Sequence, residues 1–250
     1  MDVRESPDDG TTKGTTYAID QITPEACEES HETKAMISIV VPSRDRPSSL
    51  RRALDSIIAT TRDQEIEIIV VLEECDHESQ EEICGLPFVK TVLVSDDYLG
   101  RPQDKYNVGY SQSKGEWIVA GADDITFDNE GWLSECVKIG TKGYVGLFDK
   151  VHPPDTYATL VMATRTYLET VMKGKLGLPW YHVWWADYEW AVRAKNAGAF
   201  VVCTKAAFTH HHWIFGTATK DKVYQLAESW YKDDQDTYTR REKLSFPDPE

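Results

Sequence analysis

Two adjacent carboxylates, Asp123 and Asp124, follow the apolar run Trp117-Ile118-Val119-Ala120 and directly precede another apolar residue, Ile125. Asp is a common turn residue, and a solvated loop would need no other account of the pair. Here the pair is squeezed between apolar segments, so like charges meet at a buried edge. That costs free energy unless a cation offsets it. Oxygen ligands suit hard cations such as Mg2+ and Mn2+, which bind one or two carboxylates together with substrate phosphates. The expected chemistry is a divalent ion holding a phosphate-containing ligand. Without that ion the kink is expected to be strained or mobile.

A second group is the run His210-His211-His212, followed by the apolar Trp213-Ile214-Phe215. In an extended segment His210 and His212 share one side and His211 faces the other. Three satisfied surface histidines are the plain reading. A metal ligand is the sharper one, because imidazole accepts Mn2+ readily. The third group is "WYHVWWADYEWAVRAKNAG", which places Asp187 at a helix start among Trp180, Trp184, Trp185 and Trp190. A carboxylate there interacts favourably with the helix dipole, and Glu189 can pair with Arg193 one turn on. The aromatic setting also suits an acceptor platform beside a general base.

These groups need elements to position them. "MISIVVP" is a continuous β-branched run, as expected of a strand covered on both faces; "EIEIIVVL" reads as a second buried strand, and "KTVLVS" and "EWIVAG" as a third and a fourth strand. Between them, Leu50, Ala53, Leu54, Ile57 and Ile58 recur at helical spacing, with Ser48 or Ser49 as the expected cap. "QDKYNVGYSQS" reads as another helix. Strand and helix alternate up to about residue 120, the pattern of a mostly parallel sheet flanked by helices. "GYVGLF", "ATLVMAT" and "AFVVCT" add later strands, and 221–243 reads as a charged helix. In such sheets ligands bind beyond the carboxyl ends of the strands. Those ends carry Ser43-Arg44-Asp45-Arg46, Glu73-Glu74-Cys75-Asp76 and Asp123-Asp124. No Walker A or GxGxxG sequence is present, which argues against an ordinary P-loop or dinucleotide turn.

The chain has 27 Lys+Arg against 42 Asp+Glu, a net charge of −15 that disfavours unspecific attraction to nucleic acid or anionic membrane. No apolar run approaches the ~20 residues of a membrane span. The polar, acidic start "MDVRESPDDG" is not a secretory signal. Five scattered cysteines without a CxxC pair suit reduced thiols, and the expected location is cytoplasmic.

Together these motifs resemble the inverting GT-A glycosyltransferases of the family 2 group. "ISIVVPSRDRPSSLRRALDSI" is similar to their opening strand, loop and helix; "KYNVGYSQSKGEWIVAGADD" to the segment entering their DXD-type motif; "ADYEWAVRAKNAG" to their late acidic motif, with Ala186 where Glu is usual. The resemblance implies an α/β GT-A fold. It implies nucleotide contacts from Pro42, Ser43, Arg44 and Arg46, a base contact from Glu73 where relatives have Asp, and a pocket lined by Lys105 and Asn107. Asp123 would lie near the ribose, Asp124 would bind the metal with His210 or His212, and Asp187 would be the catalytic base.

The expected organisation is a flexible arm over 1–34, a nucleotide-binding half over 35–124, an acceptor and catalytic half over 125–217, and a helical tail over 218–250. The expected donor is a nucleoside-diphosphate sugar, foremost a UDP-sugar, with Mn2+ or Mg2+ as cofactor. The acceptor stays open among a saccharide, a lipid-linked sugar, a protein and a hydroxymethylated nucleobase of viral DNA. Two other classes remain: a sugar-phosphate nucleotidyltransferase, which would want a Gly-rich basic opening loop, and a non-catalytic sugar-nucleotide-binding module.

Overall fold

The computed structural model describes residues 35–98 and 101–248. The expected arm, 1–34, lies outside the described residues. Lys34–Glu250 form one compact unit, and the two C-terminal helices belong to it.

Among the described residues eight strands form one mixed sheet: β1 Ile37–Pro42, β2 Ile66–Glu73, β3 Val89–Val94, β4 Trp117–Ala120, β5 Ile125–Phe127, β6 Tyr144–Phe148, β7 Val161–Thr164 and β8 Val202–His210. Their order is β3-β2-β1-β4-β7-β6-β8-β5. β3, β2, β1 and β4 run parallel, as the alternation predicts. β7 then runs antiparallel to both β4 and β6, and β8 lies parallel to β6. Because β7 reverses the direction twice, β1, β2, β4, β6 and β8 all point the same way. Their carboxyl ends share one rim.

Among the described residues eight α-helices flank the sheet: α1 Pro47–Thr60, α2 His77–Glu82, α3 Pro102–Gln112, α4 Trp132–Ile139, α5 Arg165–Thr170, α6 Ala186–Asn196, α7 Lys222–Ser229 and α8 Tyr231–Lys243. The pleat of β1 sends Ile37, Ile39 and Val41 into one buried layer with Leu50 and Leu54 of α1 and Trp132 of α4. Val40 enters the opposite layer, with Tyr110 of α3, Leu168 of α5 and Trp190 of α6. Two-sided burial explains why these strands read as unbroken apolar runs. The expected serine cap of α1 is not used. The helix begins at Pro47, with Arg46 at the cap position and no side-chain cap bond. Proline presets the first helical φ and has no N–H to satisfy. The Arg46 side chain has only donors, so it cannot cap the helix and turns elsewhere.

The C-terminal helices are tied to the domain by buried charge. Glu189 of α6 is wholly buried. It accepts from Arg193 at 2.9 Å, from Arg241 of α8 at 2.8 and 2.9 Å, and from Tyr181 and Trp180. Burial pushes its carboxyl up, but Arg241, Tyr181 and Arg193 outweigh that and hold it below the ordinary range. Asp234 of α8, also wholly buried, accepts the backbone amides of His182, Val183 and Trp184 at 2.8–2.9 Å. It thereby fixes the loop that enters α6.

Removing one partner of a buried ion cluster leaves the others uncompensated. Glu189→Ala is therefore expected to lower unfolding free energy by ~3–5 kcal/mol, read by urea denaturation. A loss below ~1 kcal/mol would show that water replaces the carboxylate there.

Candidate functional site

One cavity of about 510 Å³ opens at the rim where the strands end. Its size suits a small-molecule ligand. Of the residues singled out in the sequence, Pro42, Ser43, Arg44, Arg46, Lys105, Asp123, Asp124, Asp187, His210 and His212 all line it. Glu73 and Asn107 do not. Glu73 lies behind the wall, wholly buried, and takes the Lys105 ammonium at 2.5 Å. Asn107 instead joins α3 to the 176–177 loop, accepting the Leu176 and Gly177 amides at 3.0 Å and donating to the Gly177 carbonyl.

The strand register explains how the distant motifs meet. β5 begins right after Asp124, and its first residue, Ile125, pairs with His210 of β8. The His211 amide donates to the Asp124 carbonyl at 2.7 Å. His210 and His212 share a side, with ring centroids 5.2 Å apart, whereas His211 turns away to Thr126. This is the alternation expected of the extended run.

The paired carboxylates face different partners. Asp123 accepts from Ser43 Oγ at 2.7 Å and from Arg46 Nη1 at 3.3 Å. Asp124 Oδ1 lies 3.3 Å from His210 Nε2, and its Oδ2 accepts from Tyr224 OH at 2.9 Å. Arg46 Nη1 is 3.7 Å from that same Oδ2. Arg46 is held in turn by a two-pronged bond to Asp221 at 2.8 and 3.0 Å, and its guanidinium lies 3.8 Å over the Tyr224 ring. Burial raises Asp123 further than Arg46 can lower it, so its carboxyl titrates above the ordinary range. Burial also acts on Asp124, but His210, Arg46 and Tyr224 outweigh it and hold that carboxyl low. One charge is thus stabilised at the cost of the other.

The expected backbone strain is not found. No residue between Gly121 and Ile125 is left-handed. The offsetting cation is the protein's own Arg46.

Lys105 Nζ joins two strand ends, donating to the Ser43 carbonyl at 2.6 Å and to Glu73. Burial outweighs Glu73 and lowers its ammonium. His212 Nδ1 accepts the Ile214 amide at 3.2 Å, so its ring proton sits on Nε2 and the ring presents a donor. Burial, followed by the His210 charge, lowers it to about 4, so it is neutral near pH 7.

Asp187 lies in the first turn of α6, one residue beyond the expected helix start. The residue before the helix, Trp185, has φ 69°, a left-handed conformation that costs a bulky side chain ~1–3 kcal/mol. Its ring, packed on Tyr188, Tyr231 and Tyr238, holds the turn. Asp187 keeps part of its surface open to the cavity, yet the protein around it desolvates its carboxyl and pushes it up to about 6.

In sequence, Asp221 and Tyr224 belong to a charged tail. In the fold they meet Arg46 and Asp124 across 175 and 100 residues, and no local pattern signals that. Asp149, His152, Tyr157 and Tyr188 carry no sequence signal either; the last three line the cavity.

A carboxyl whose pKa is raised on folding keeps its proton more tightly in the folded state. Ionising it therefore takes stability away as pH rises through about 6. Asp187→Asn should raise stability near pH 7.5 by ~1–2 kcal/mol, or about 3–6 °C in Tm, and by nothing below pH ~4. Thermal unfolding at the two pH values reads this, and an equal effect at both would remove the desolvation argument.

No protein-family model and no curated protein sequence matches the chain. Solved structures do. One is the mannosyltransferase PcManGT from Pyrobaculum calidifontis in complex with GDP-Man and Mn2+, with TM-score 0.54, 16% identity, and 72% of this chain and 57% of that one covered. Another is S. aureus TarS 1–349, with TM-score 0.52, 16% identity, and coverage of 69% and 59%. The same TarS fragment in complex with UDP gives TM-score 0.52 at 15% identity. The chain thus spans under two thirds of the length of these structures. What they share with it is the architecture, and on that ground the chain has the GT-A glycosyltransferase fold.

Proposed function

We propose that the chain is an inverting glycosyltransferase that moves a sugar from a nucleoside-diphosphate sugar to an acceptor hydroxyl, with Asp187 as general base. One observation carries this reading. The carboxyl ends of β1, β4 and β8, with α3, bring Arg46, Asp123, Asp124, His210 and Lys105 to the same cavity as Asp187. Charged groups able to hold a diphosphate thus share a cavity with a carboxyl able to take a proton. GDP-Man and UDP in the neighbouring structures support the donor class.

The donor set suits a divalent ion in part. Among the described residues no group of three ligands gathers. Asp124 and His210 are already 3.3 Å apart, and His210 Nδ1 is buried without a protein partner. Hard cations often take one or two protein ligands and complete their shell with substrate phosphates and water. Asp124 and His210 would hold Mn2+ or Mg2+, which supplies Lewis-acid neutralisation of the diphosphate charge. A neighbouring structure contains Mn2+ with GDP-Man. His212 Nε2–H and Arg46 would donate to phosphate oxygens, Ser43 and Asp123 would orient the ribose, and Lys105 would stiffen the nucleotide side through Glu73.

The reaction is a single displacement. Asp187 accepts the acceptor hydroxyl proton as that oxygen attacks the anomeric carbon. The bond from that carbon to the diphosphate breaks, and its electron pair leaves with the diphosphate. No protein nucleophile is required, and a carboxyl raised to about 6 is a better base than an ordinary one while still mostly ionised near pH 7.

Asp187→Asn is expected to reduce nucleoside-diphosphate release at least ~10³-fold while nucleotide affinity by calorimetry stays within ~twofold. In the unaltered protein kcat should rise with pH through about 6. Turnover retained in the variant would remove Asp187 from the role of base. Asp124→Ala is expected to abolish the Mn2+-dependent part of UDP or GDP binding; calorimetry showing the same Mn2+ dependence would overturn the metal assignment. Free nucleoside diphosphate as product distinguishes transfer of the sugar from nucleotidyl transfer.

A further inference from the structure

A second polar group stands on the cavity wall that the reaction above does not use. β6 is parallel to β1 and β4 in direction, so its carboxyl end falls on the same rim. Asp149 follows directly after it, and Lys150, left-handed with φ 62°, turns the chain. Lys150 Nζ anchors this turn to Asp128 and Thr209 at 2.7 Å. Asp149 is 4% exposed and lies behind the wall. Its Oδ1 accepts the amides of Val151 and His152 at 3.0 Å, and its Oδ2 lies 2.6 Å from His152 Nδ1 and 3.5 Å from Thr159 Oγ1. Burial pushes the Asp149 carboxyl up, but these bonds outweigh it, so Asp149 is ionised at neutral pH.

An ionised carboxylate at Nδ1 fixes the ring proton there. The other nitrogen, Nε2, is left as a hydrogen-bond acceptor on a side chain that lines the cavity and is 30% exposed. The His152 ring lies 4.6 Å from Tyr157, which stacks at 4.1 Å on Tyr188, the residue next to Asp187. Tyr157 and Tyr188 place His152 and Asp187 along one stretch of the wall. The wall thus offers two acceptors, the Asp187 carboxylate and His152 Nε2, linked by a pair of tyrosine rings.

We propose that His152, oriented by Asp149, binds the acceptor substrate, and that this substrate is a saccharide ring with neighbouring hydroxyls. One hydroxyl gives its proton to Asp187 and attacks; the other donates to His152 Nε2, and the C–H face of the ring lies against the edges of the stacked Tyr157 and Tyr188 rings. Two acceptors in one wall call for two donors, which a sugar diol supplies and a lone serine or hydroxymethyl group does not. The proposal rests on the glycosyltransferase reading and narrows its acceptor.

The test uses the full chain with Mn2+, a panel of UDP- and GDP-sugars, and three acceptor probes: methyl pyranosides, a serine-containing peptide, and a DNA oligonucleotide bearing hydroxymethyluracil. Release of nucleoside diphosphate is measured, and UDP and GDP affinities are read by calorimetry. Pyranosides are expected to accelerate release most. His152→Ala should raise the pyranoside KM about tenfold with nucleotide affinity unchanged, and His152→Gln, which retains an acceptor, should recover part of it. Asp149→Asn keeps the histidine but offers Nδ1 a donor, which moves the ring proton to Nε2. It should mimic His152→Ala if orientation is the role of Asp149. Pyranosides no better than no acceptor, a faster reaction with either single-hydroxyl probe, an unchanged pyranoside KM in His152→Ala, or an equal loss of nucleotide affinity would each overturn the proposal while the transferase reading stands. Failure of the unaltered protein to bind any nucleotide would overturn the transferase reading itself.

Discussion

Two carboxylates buried side by side at the end of β4 set the terms for everything around them. At a few ångströms in a poorly solvated setting their repulsion is worth kilocalories, and desolvation adds to it. The protein meets this with one guanidinium. Arg46 reaches both carboxylates, and Asp221 and the Tyr224 ring hold it there. Arginine suits the place because its planar fork serves several oxygens at once and stays charged when buried. Asp124 has further support from His210 and Tyr224, so it carries the charge, whereas Asp123 is the more easily protonated. A ligand bringing its own charges would enter a site whose internal balance already rests on Arg46.

That balance depends on segments far apart in sequence. Arg46 precedes α1 but has only donors, so it cannot cap the helix, and its guanidinium turns to the carboxylates instead. Asp221 caps α7 by accepting the Tyr224 amide while also holding Arg46, so one residue ends a loop and completes the site. Asp234 and Glu189 fix α8 and the loop before α6, and Trp185 completes the strained turn that presents Asp187. The C-terminal helices are in this sense part of the site wall.

Much of the fold was legible. The runs at β1, β2 and β4 are largely apolar because both faces of the sheet are covered there, and that pattern survives in the sequence without any neighbour in view. Asp123, Asp124 and Asp187 stood out for the same reason, as charges at the edges of apolar segments. Glu73 and Asn107 did not end where expected. A long carboxylate behind a strand end found Lys105 before it found the cavity, and an amide on α3 found the exposed backbone of the 176–177 loop. Such outcomes depend on which partner comes within ~3 Å, and spacing along the chain carries no record of it.

The strand and helix pattern, the parallel first half, the carboxylates at the rim and the side on which each histidine of the run lies are all written locally along the chain. These come from local rules: burial on two faces, the two-residue period of a strand, and the polarity of the residues at its end. Folding in three dimensions is what makes β7 reverse direction and bring β6 and β8 onto the shared rim, makes Arg46 the counter-charge, and brings Asp221, Tyr224 and His152 to the site, with Asp149 behind it. Those results come from contacts between residues up to 175 positions apart. A hydrogen bond or ion pair depends on distance in space, and chain separation enters only through the modest entropy of closing the loop between them.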